Sequence, residues 1–345
     1  MSQTEYNVLS PEDIGHFVNH GWLKISNCFS RAKADEVCAN IWNKLHMNPN
    51  DMSTWNTEWQ PVDKTRSFMV NNIAPKAFRA ICDLVGEDRL PGRGRSMTWD
   101  DRLIVNLGTP SGAGKDIGPW ETYGWHVDGD FFVHFLDSGE QGLLVVPLWT
   151  DIAKSGGGTL MCPDAIPVIA RHLYDHPEGV SPGMVPRGDK SGKYEDFYNK
   201  IAQSMPQESF LEMTGEVGDV YLLHPLMLHS VSNNKLRQLR IISNPPVMLR
   251  EPFRLARVDP TQYSVVELCT RRALGDVNLK KWGIKGNREF IQVNRNPKPE
   301  VSKSQDGSGE HMTHAHDNKA SKPEAMNGAK SGFLKGMFKS KPRKG

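Results

Sequence analysis

The chain has 345 residues and a formal net charge of +2, with 42 Lys and Arg residues against 40 Asp and Glu residues. No apolar run approaches the ~20 residues that a membrane-spanning helix needs, and nothing in the charge pattern suggests a nucleic-acid surface. The five cysteines are scattered, odd in number and form no C-x-x-C pair, which favours free thiols in a reducing compartment over disulfides or a zinc site. The first residues show no secretory signal and the last are not Ser-Lys-Leu, so we expect a cytoplasmic protein.

Helical patterns flank the predicted core. Ser10 followed by Pro11 predicts a helix start, with Ser as the cap and Pro in the first turn. Residues 34–45 predict a second helix because their apolar residues fall on one side, and residues 77–85 predict a third. A last helix is predicted at residues 263–274, packed outside a barrel.

Short strands separated by Gly and Pro turns fill the middle of the chain. This pattern predicts a mainly β fold with flanking helices and a jelly-roll core. We expect one domain at residues 1–295 with its core at 96–250, and a long insertion at 163–207 whose length is typical of a lid. The predicted strands cover residues 21–25, 101–108, 141–150, 158–162, 208–214, 217–224 and 238–249.

Residues 296–345 differ from the rest of the chain in composition. They carry ten Lys or Arg residues against five Asp or Glu residues, a net charge of +5, which leaves −3 for residues 1–295. Their low apolar content predicts a disordered basic tail. Lysines around Phe333, Leu334 and Phe338 suggest a second interpretation, in which the tail contacts an anionic membrane surface or an acidic partner.

A histidine-rich pattern indicates a metal site. His126 and Asp128 are two positions apart, so on an extended chain both side chains can reach one ion. A third ligand must come from elsewhere, and His229 suits this role because it ends an apolar stretch and precedes a polar loop. Two imidazoles and one carboxylate on one face of an ion leave open positions, as in mononuclear iron(II) oxygenases. His224, before Pro225, is the competing ligand, although we expect it to be structural.

Each candidate site residue also has an interpretation that involves no function. With twelve histidines in the chain, a His-x-Asp pair can arise by chance. Arg240, eleven positions after His229, could instead be a surface strand residue paired with an acid. Trp149 could be ordinary core packing, and Asn106 could be a polar residue that closes a strand.

The motifs together resemble the phytanoyl-CoA dioxygenase family. The resemblance covers roughly residues 8–250. One departure concerns residues 163–166, where the family's usual histidine after the Gly-rich turn is absent, and this bears on the substrate. The matching residues are Gly218-Asp219, His224-Pro225, His229, Asn234-Lys235 and Arg240, with Ile104-Val105-Asn106, Pro110, Ser111-Gly112, Leu148-Trp149-Thr150 and Gly157-Gly158-Thr159-Leu160 upstream.

The resemblance implies a double-stranded β-helix that uses iron(II), 2-oxoglutarate and molecular oxygen, with ascorbate helpful in vitro. It assigns His126, Asp128 and His229 to iron and Arg240 to the distal carboxylate of 2-oxoglutarate. It places Asn106 and Trp149 beside that cosubstrate. The implied reaction is hydroxylation of a small organic substrate, with release of succinate and carbon dioxide.

Two other functional classes stay open from the sequence. One is a non-catalytic jelly-roll binding protein that retains the metal ligands. The other is a cupin-type metal enzyme that does not use 2-oxoglutarate, in which case Arg240 would have no cosubstrate to hold. The formation of succinate, or its absence, separates both from the dioxygenase.

Overall fold

The computed structural model describes residues 6–292, so the predicted tail at 296–345 lies outside the described residues. The helices are α1 (Pro11–His20), α2 (Arg31–Cys38), α3 (Ile41–Leu45), α4 (Val70–Ile73), α5 (Pro75–Val85), α6 (Ile166–Asp175), α7 (Phe197–Ser204) and α8 (Val265–Leu274). The strands are β1 (Trp22–Ile25), β2 (Trp59–Pro61), β3 (Ser67–Met69), β4 (Thr98–Asp100), β5 (Ile104–Asn106), β6 (Leu143–Pro147), β7 (Thr159–Cys162), β8 (Leu211–Glu212), β9 (Val220–Leu223), β10 (Leu228–Val231), β11 (Arg240–Ile242) and β12 (Pro246–Val247). No helix within this range is long and apolar enough to cross a membrane.

The fold combines helices with antiparallel sheets. Helices account for more of the described residues than strands do, so the chain is less β-rich than its turn-rich pattern predicts. The strands fall into four sheets within residues 6–292, and these sheets do not close into one barrel. Most strands are only two to five residues long, because irregular segments interrupt the predicted longer runs.

A single backbone bridge joins two of the sheets. One sheet has the order β1-β9-β6-β12 and another the order β11-β5-β2. A bridge between Leu148 and Ile242 connects the end of β6 to β11 and so links these two sheets. The sheet β10-β7-β8 is extended in the same way, by a bridge from His229 in β10 to His126.

Local sequence explains the helix ends well. The Ser10 hydroxyl accepts a hydrogen bond from the Asp13 N–H, and the Asp13 carboxylate accepts one from the Ser10 N–H. This reciprocal cap fixes the start of α1. A similar cap joins Ser264 and Glu267 at the start of α8. The helix predicted at 34–45 is instead two helices, α2 and α3, because Asn40 leaves the helical conformation between them.

Residues 163–207, the predicted insertion, contain the two helices α6 and α7. In α6 the side chains of Ile166, Ile169, Ala170 and Leu173 are buried, so this part belongs to the hydrophobic core. In α7 the buried Tyr198 hydroxyl donates a hydrogen bond to the Pro182 carbonyl at 2.8 Å. The exposed residues of the segment concentrate between 187 and 196. A lid at 163–207 stays a prediction.

Candidate metal and cosubstrate site

His126 and His229 are placed opposite each other by a pair of backbone hydrogen bonds. Each donates its N–H to the carbonyl of the other at 3.0 Å, and the two ring centroids are 4.3 Å apart. His229 belongs to β10, whereas His126 is a single bridging residue at the edge of that sheet. This β-bridge therefore brings together two histidines that are about a hundred positions apart in the sequence.

The backbone also fixes the tautomers of both rings. Nδ1 of His126 lies 2.7 Å from the Gly124 carbonyl, and Nδ1 of His229 lies 2.9 Å from the Met227 carbonyl. A carbonyl can only accept, so each Nδ1 carries the proton and each Nε2 has a free lone pair. Protein metal sites commonly hold their histidine ligands in this way.

Asp128 completes the group. Its Oδ1 lies 3.5 Å from Nε2 of His126 and 3.6 Å from Nε2 of His229. Burial opposes ionisation of Asp128, but its interactions with His126 and His229 outweigh burial and hold the pKa of the carboxyl well below its usual range. One donor atom from each residue lies within 4.8 Å of the others, so the three can hold one metal ion.

The site is open on one side. The His126 side chain is 46% exposed, whereas those of Asp128 and His229 are 12% and 9% exposed. A small molecule can therefore approach from the His126 side without displacing core residues.

His224, the competing ligand, has protein partners on both ring nitrogens. Its Nδ1 accepts from the Leu226 N–H at 3.1 Å. Its Nε2 lies 2.8 Å from the Thr270 hydroxyl, which itself donates to the Val266 carbonyl, so Nε2 is the donor. Neither nitrogen is left to bind a metal, and the ring connects the end of β9 to α8.

The buried position of His224 gives a testable pH dependence. Burial lowers the pKa of His224 from 6.5 to about 3, so the unfolded chain binds one more proton than the folded chain between those values. Stability must fall as the pH drops through this window, and this residue alone contributes a loss of ~2 kcal/mol between pH 8 and pH 5. In urea unfolding at the two pH values, we expect His224→Gln to lose about 2 kcal/mol less than the parent protein. An unchanged pH dependence would contradict the assignment.

Arg240 is a buried residue at the start of β11, eleven positions after His229. The side chain is 1% exposed, with Nε donating to the Gly157 carbonyl at 2.6 Å and Nη1 to the Ile104 carbonyl at 3.4 Å. Nη2 is buried and has no hydrogen-bond partner within residues 6–292. Burial lowers the pKa of Arg240 to about 10, an effect that the negative charge of Glu212 opposes. The guanidinium therefore remains charged at neutral pH.

No carboxylate lies within ion-pair distance of Arg240 in the described part of the chain. Glu212 is engaged elsewhere: it accepts from the backbone N–H groups of Ser155 and Gly158. The alternative of a surface arginine paired with an acid does not match this buried position.

Asn106 lies directly across from Arg240 in the β5–β11 register. Its Nδ2 contacts the carbonyls of Gly157 and Ser232 at 3.4 and 3.2 Å, and its Oδ1 accepts from the Gly108 N–H at 2.9 Å. Asn106 and Arg240 thus share the Gly157 carbonyl. Gly157 has φ +79°, and a Cβ there would lie 2.7 Å from the Asn106 amide, so only glycine allows this approach.

Trp149 is packed in the core. Its ring contacts Phe29 and Trp99, with centroid distances of 4.6 and 6.1 Å. Its indole N–H donates to the Ser243 hydroxyl at 2.9 Å. Ser243 is an odd number of positions from Arg240, so strand alternation favours opposite faces for their side chains. These contacts are those of core packing, and a place beside a cosubstrate stays a prediction.

Asn244 is a site residue that the sequence reasoning missed. Its Nδ2 donates to Oδ2 of Asp128 at 3.3 Å, the oxygen that does not face the histidines. The available signal was spacing, since Asn244 follows Arg240 by four positions and alternation can place both on one face. Asn244 thus orients the carboxylate of the metal group.

We expect Asn244→Ala to weaken metal binding by roughly 10-fold, at the low end of the effect of outer-shell partners. Titration calorimetry with Ni²⁺ would measure this. Asn233→Ala is the matched control, because Asn233 donates to the Gly112 and Lys115 carbonyls and not to Asp128. Equal affinities of the parent and Asn244→Ala proteins would show that Asp128 does not need this contact.

Comparison with known proteins gives limited similarity. No family model matches the sequence, and no curated protein matches it. Membership in the phytanoyl-CoA dioxygenase family therefore stays a prediction.

Several solved structures show partial similarity. HygX from Streptomyces hygroscopicus, solved with nickel and 2-oxoglutarate bound, is 11% identical, with 68% of this chain and 85% of that chain covered and a TM-score of 0.36. The non-heme monooxygenase ThoJ, as a nickel complex, is 13% identical, with 66% and 74% covered and a TM-score of 0.35. A putative oxidoreductase from Salmonella typhimurium LT2 is 16% identical, with 70% and 71% covered and a TM-score of 0.42.

Proposed function

We propose that this protein is an iron(II)- and 2-oxoglutarate-dependent dioxygenase that hydroxylates a small organic substrate. The observation that carries the proposal is the convergence of two histidine Nε2 atoms and the Asp128 carboxylate, with both Nδ1 atoms committed to backbone carbonyls. A donor set of two neutral imidazoles and one carboxylate suits ferrous iron with open coordination positions.

The spacing of the donor atoms supports this metal. Adjacent ligands of an ion bound at about 2.1 Å are about 3 Å apart when they meet at right angles. The two Nε2–Oδ1 separations of 3.5 and 3.6 Å are close to that value. Small inward movements of these side chains would bring the set to binding distance.

Arg240 supports 2-oxoglutarate as the cosubstrate. A buried guanidinium without a carboxylate partner is costly, and a bound carboxylate would compensate it. Its planar fork holds a carboxylate through parallel hydrogen bonds, and Nη2 is free for such a bond. Asn106 would position this arginine through the Gly157 carbonyl, and Trp149 would support the neighbouring strand through Ser243.

The strand order supports a double-stranded β-helix. When the single bridges are included, one set of strands runs β1-β9-β6-β11-β5-β2, and the opposite set runs from His126 through β10 and β7 to β8. An antiparallel chain that crosses repeatedly between two such sets, as this one does from His126 to β11, is the pattern of a jelly roll. This proposal places His126 and His229 on the second set and Arg240 on the first.

In the proposed reaction, iron supplies the oxygen chemistry that couples decarboxylation of 2-oxoglutarate to substrate oxidation. The residues of this chain bind and orient: His126, Asp128 and His229 hold the metal, and Arg240 holds the distal carboxylate. No general base or nucleophile is needed. The products would be succinate, carbon dioxide and a hydroxylated substrate.

The test is iron-dependent turnover of 2-oxoglutarate by the purified chain. We expect succinate to form with Fe²⁺, O₂ and ascorbate, and not when Fe²⁺ is omitted. Metal binding without succinate would favour the non-catalytic binding protein. Substrate oxidation in extracts that proceeds without 2-oxoglutarate would favour the cupin-type enzyme. Mass shifts of +16 in treated extracts would identify the hydroxylated compound.

A further inference from the structure

A cavity of about 500 Å³ lies outside the metal group, between the turn after α5 and the segment that precedes α8. Its charged lining comprises four arginines against three carboxylates, a net charge of +1. Apolar side chains of Leu249 and Phe253, both buried, form another part of the wall. The four arginines are Arg89, Arg250, Arg254 and Arg257.

One of the three carboxylates, that of Glu267, forms ion pairs within the cavity wall. Glu267 is 0% exposed and lies 2.7 Å from Nη1 of Arg89 and 3.1 Å from Nη2 of Arg257. Burial opposes its ionisation, but hydrogen bonds from Arg257, Arg254 and Ser264 outweigh it and lower the pKa of Glu267. The negative charge of Glu267 therefore holds the guanidinium groups of Arg89 and Arg257 in place. It does not neutralise the charges of the other two arginines.

The remaining two arginines are weakly compensated. Arg254 pairs with Glu251 at 2.6 Å, but both side chains are about 60% exposed, and such surface pairs contribute little. Arg250 donates from Nη1 to the Asp88 carbonyl at 3.1 Å, and within residues 6–292 no carboxylate oxygen lies within 4.0 Å of its guanidinium. The cavity thus holds positive charge that the described part of the chain does not cancel.

The backbone around the cavity is held in place although it has no regular structure. The Arg250 N–H donates to the Arg89 carbonyl at 2.8 Å, and the Phe253 N–H donates to the Asp137 carbonyl at 3.0 Å. The Arg254 N–H donates to the buried Glu267 carboxylate at 2.7 Å. The backbone of this wall therefore needs little ordering on binding.

We propose that this cavity binds a soluble phosphorylated small molecule, with its phosphate held by Arg250 and Arg254. A phosphate has three oxygens that several guanidinium groups can share, and arginine recognises it through paired hydrogen bonds. The volume exceeds that of a single ion and lies in the range of small-molecule sites. The organic part would lie against Leu249 and Phe253. This site is separate from the proposed dioxygenase chemistry and does not depend on it.

The test is titration calorimetry of the full chain with inorganic pyrophosphate, at constant ionic strength set with NaCl. We expect saturable binding that Arg250→Ala weakens by at least 10-fold, the loss that follows from one charge-assisted hydrogen bond. Arg254→Ala should weaken it as well. Arg31→Ala is the matched control, because Arg31 is an exposed arginine that pairs with Asp151.

The same variants also distinguish pyrophosphate binding in this cavity from pyrophosphate binding to the basic residues at 296–345. Binding that survives both Arg250→Ala and Arg254→Ala would overturn the proposal, as would the absence of saturable binding. Arg250 and Arg254 make few contacts with the rest of the protein, so both variants should keep the thermal midpoint of the parent. Equal weakening by Arg31→Ala would show a general charge effect and would also overturn the proposal.

Discussion

His229→Ala should abolish metal-dependent turnover of 2-oxoglutarate. The substitution removes one of three donor atoms and leaves Asp128 with one imidazole partner. Loss of an outer-shell partner already costs 10- to 100-fold in metal affinity, so we expect loss of a ligand to cost more than about 100-fold. Metal content per folded protein and succinate formation would measure the two effects. His126→Ala should behave in the same way.

His224→Ala is the matched control, since it removes a nearby histidine whose nitrogens bind Leu226 and Thr270. We expect it to lower the free energy of unfolding by about 1–3 kcal/mol, because a buried hydrogen-bond pair is broken. Its metal stoichiometry should match the parent protein. The reverse outcome, in which His224→Ala loses the metal and His229→Ala retains it, would exchange their roles.

Arg240→Lys should raise the Michaelis constant for 2-oxoglutarate by roughly 10- to 100-fold. Lysine keeps the positive charge but not the planar fork, so one charge-assisted hydrogen bond to the carboxylate, worth about 1.5–3 kcal/mol, is lost. Succinate formation at varied 2-oxoglutarate concentration would measure the constant. The effect should be larger for 2-oxoglutarate than for the main substrate.

Metal affinity provides the internal control for this variant. Arg240 contacts the Gly157 and Ile104 carbonyls and no metal-group residue, so Ni²⁺ binding by Arg240→Lys should equal that of the parent. A parallel fall in metal affinity would show a general loss of structure. An unchanged Michaelis constant for 2-oxoglutarate would remove Arg240 from the cosubstrate site.

The positions of the regular elements were largely predictable. Capping residues such as Ser10 act within one helical turn, and the apolar face of α5 follows from a local period, so neither depends on distant residues. The predicted strand pattern locates β6, β7, β9 and β11, although each is shorter than expected. The sequence does not predict the two helices within 163–207, because the length of the segment favours a lid and the burial of the apolar face of α6 depends on the tertiary structure.

The candidate site, like the fold, was predictable from the sequence only in part. The sequence by itself determined the residue types and spacing of His126, Asp128 and His229, because alternation along an extended chain is local. Only the tertiary structure decided which histidine faces Asp128, since a β-bridge between residues a hundred positions apart sets that choice. The tertiary structure also decided that Arg240 has no carboxylate partner within residues 6–292 and that Asn244 contacts Asp128. Burial and hydrogen-bond partners depend on residues that are distant in sequence, so no local sequence pattern predicts them.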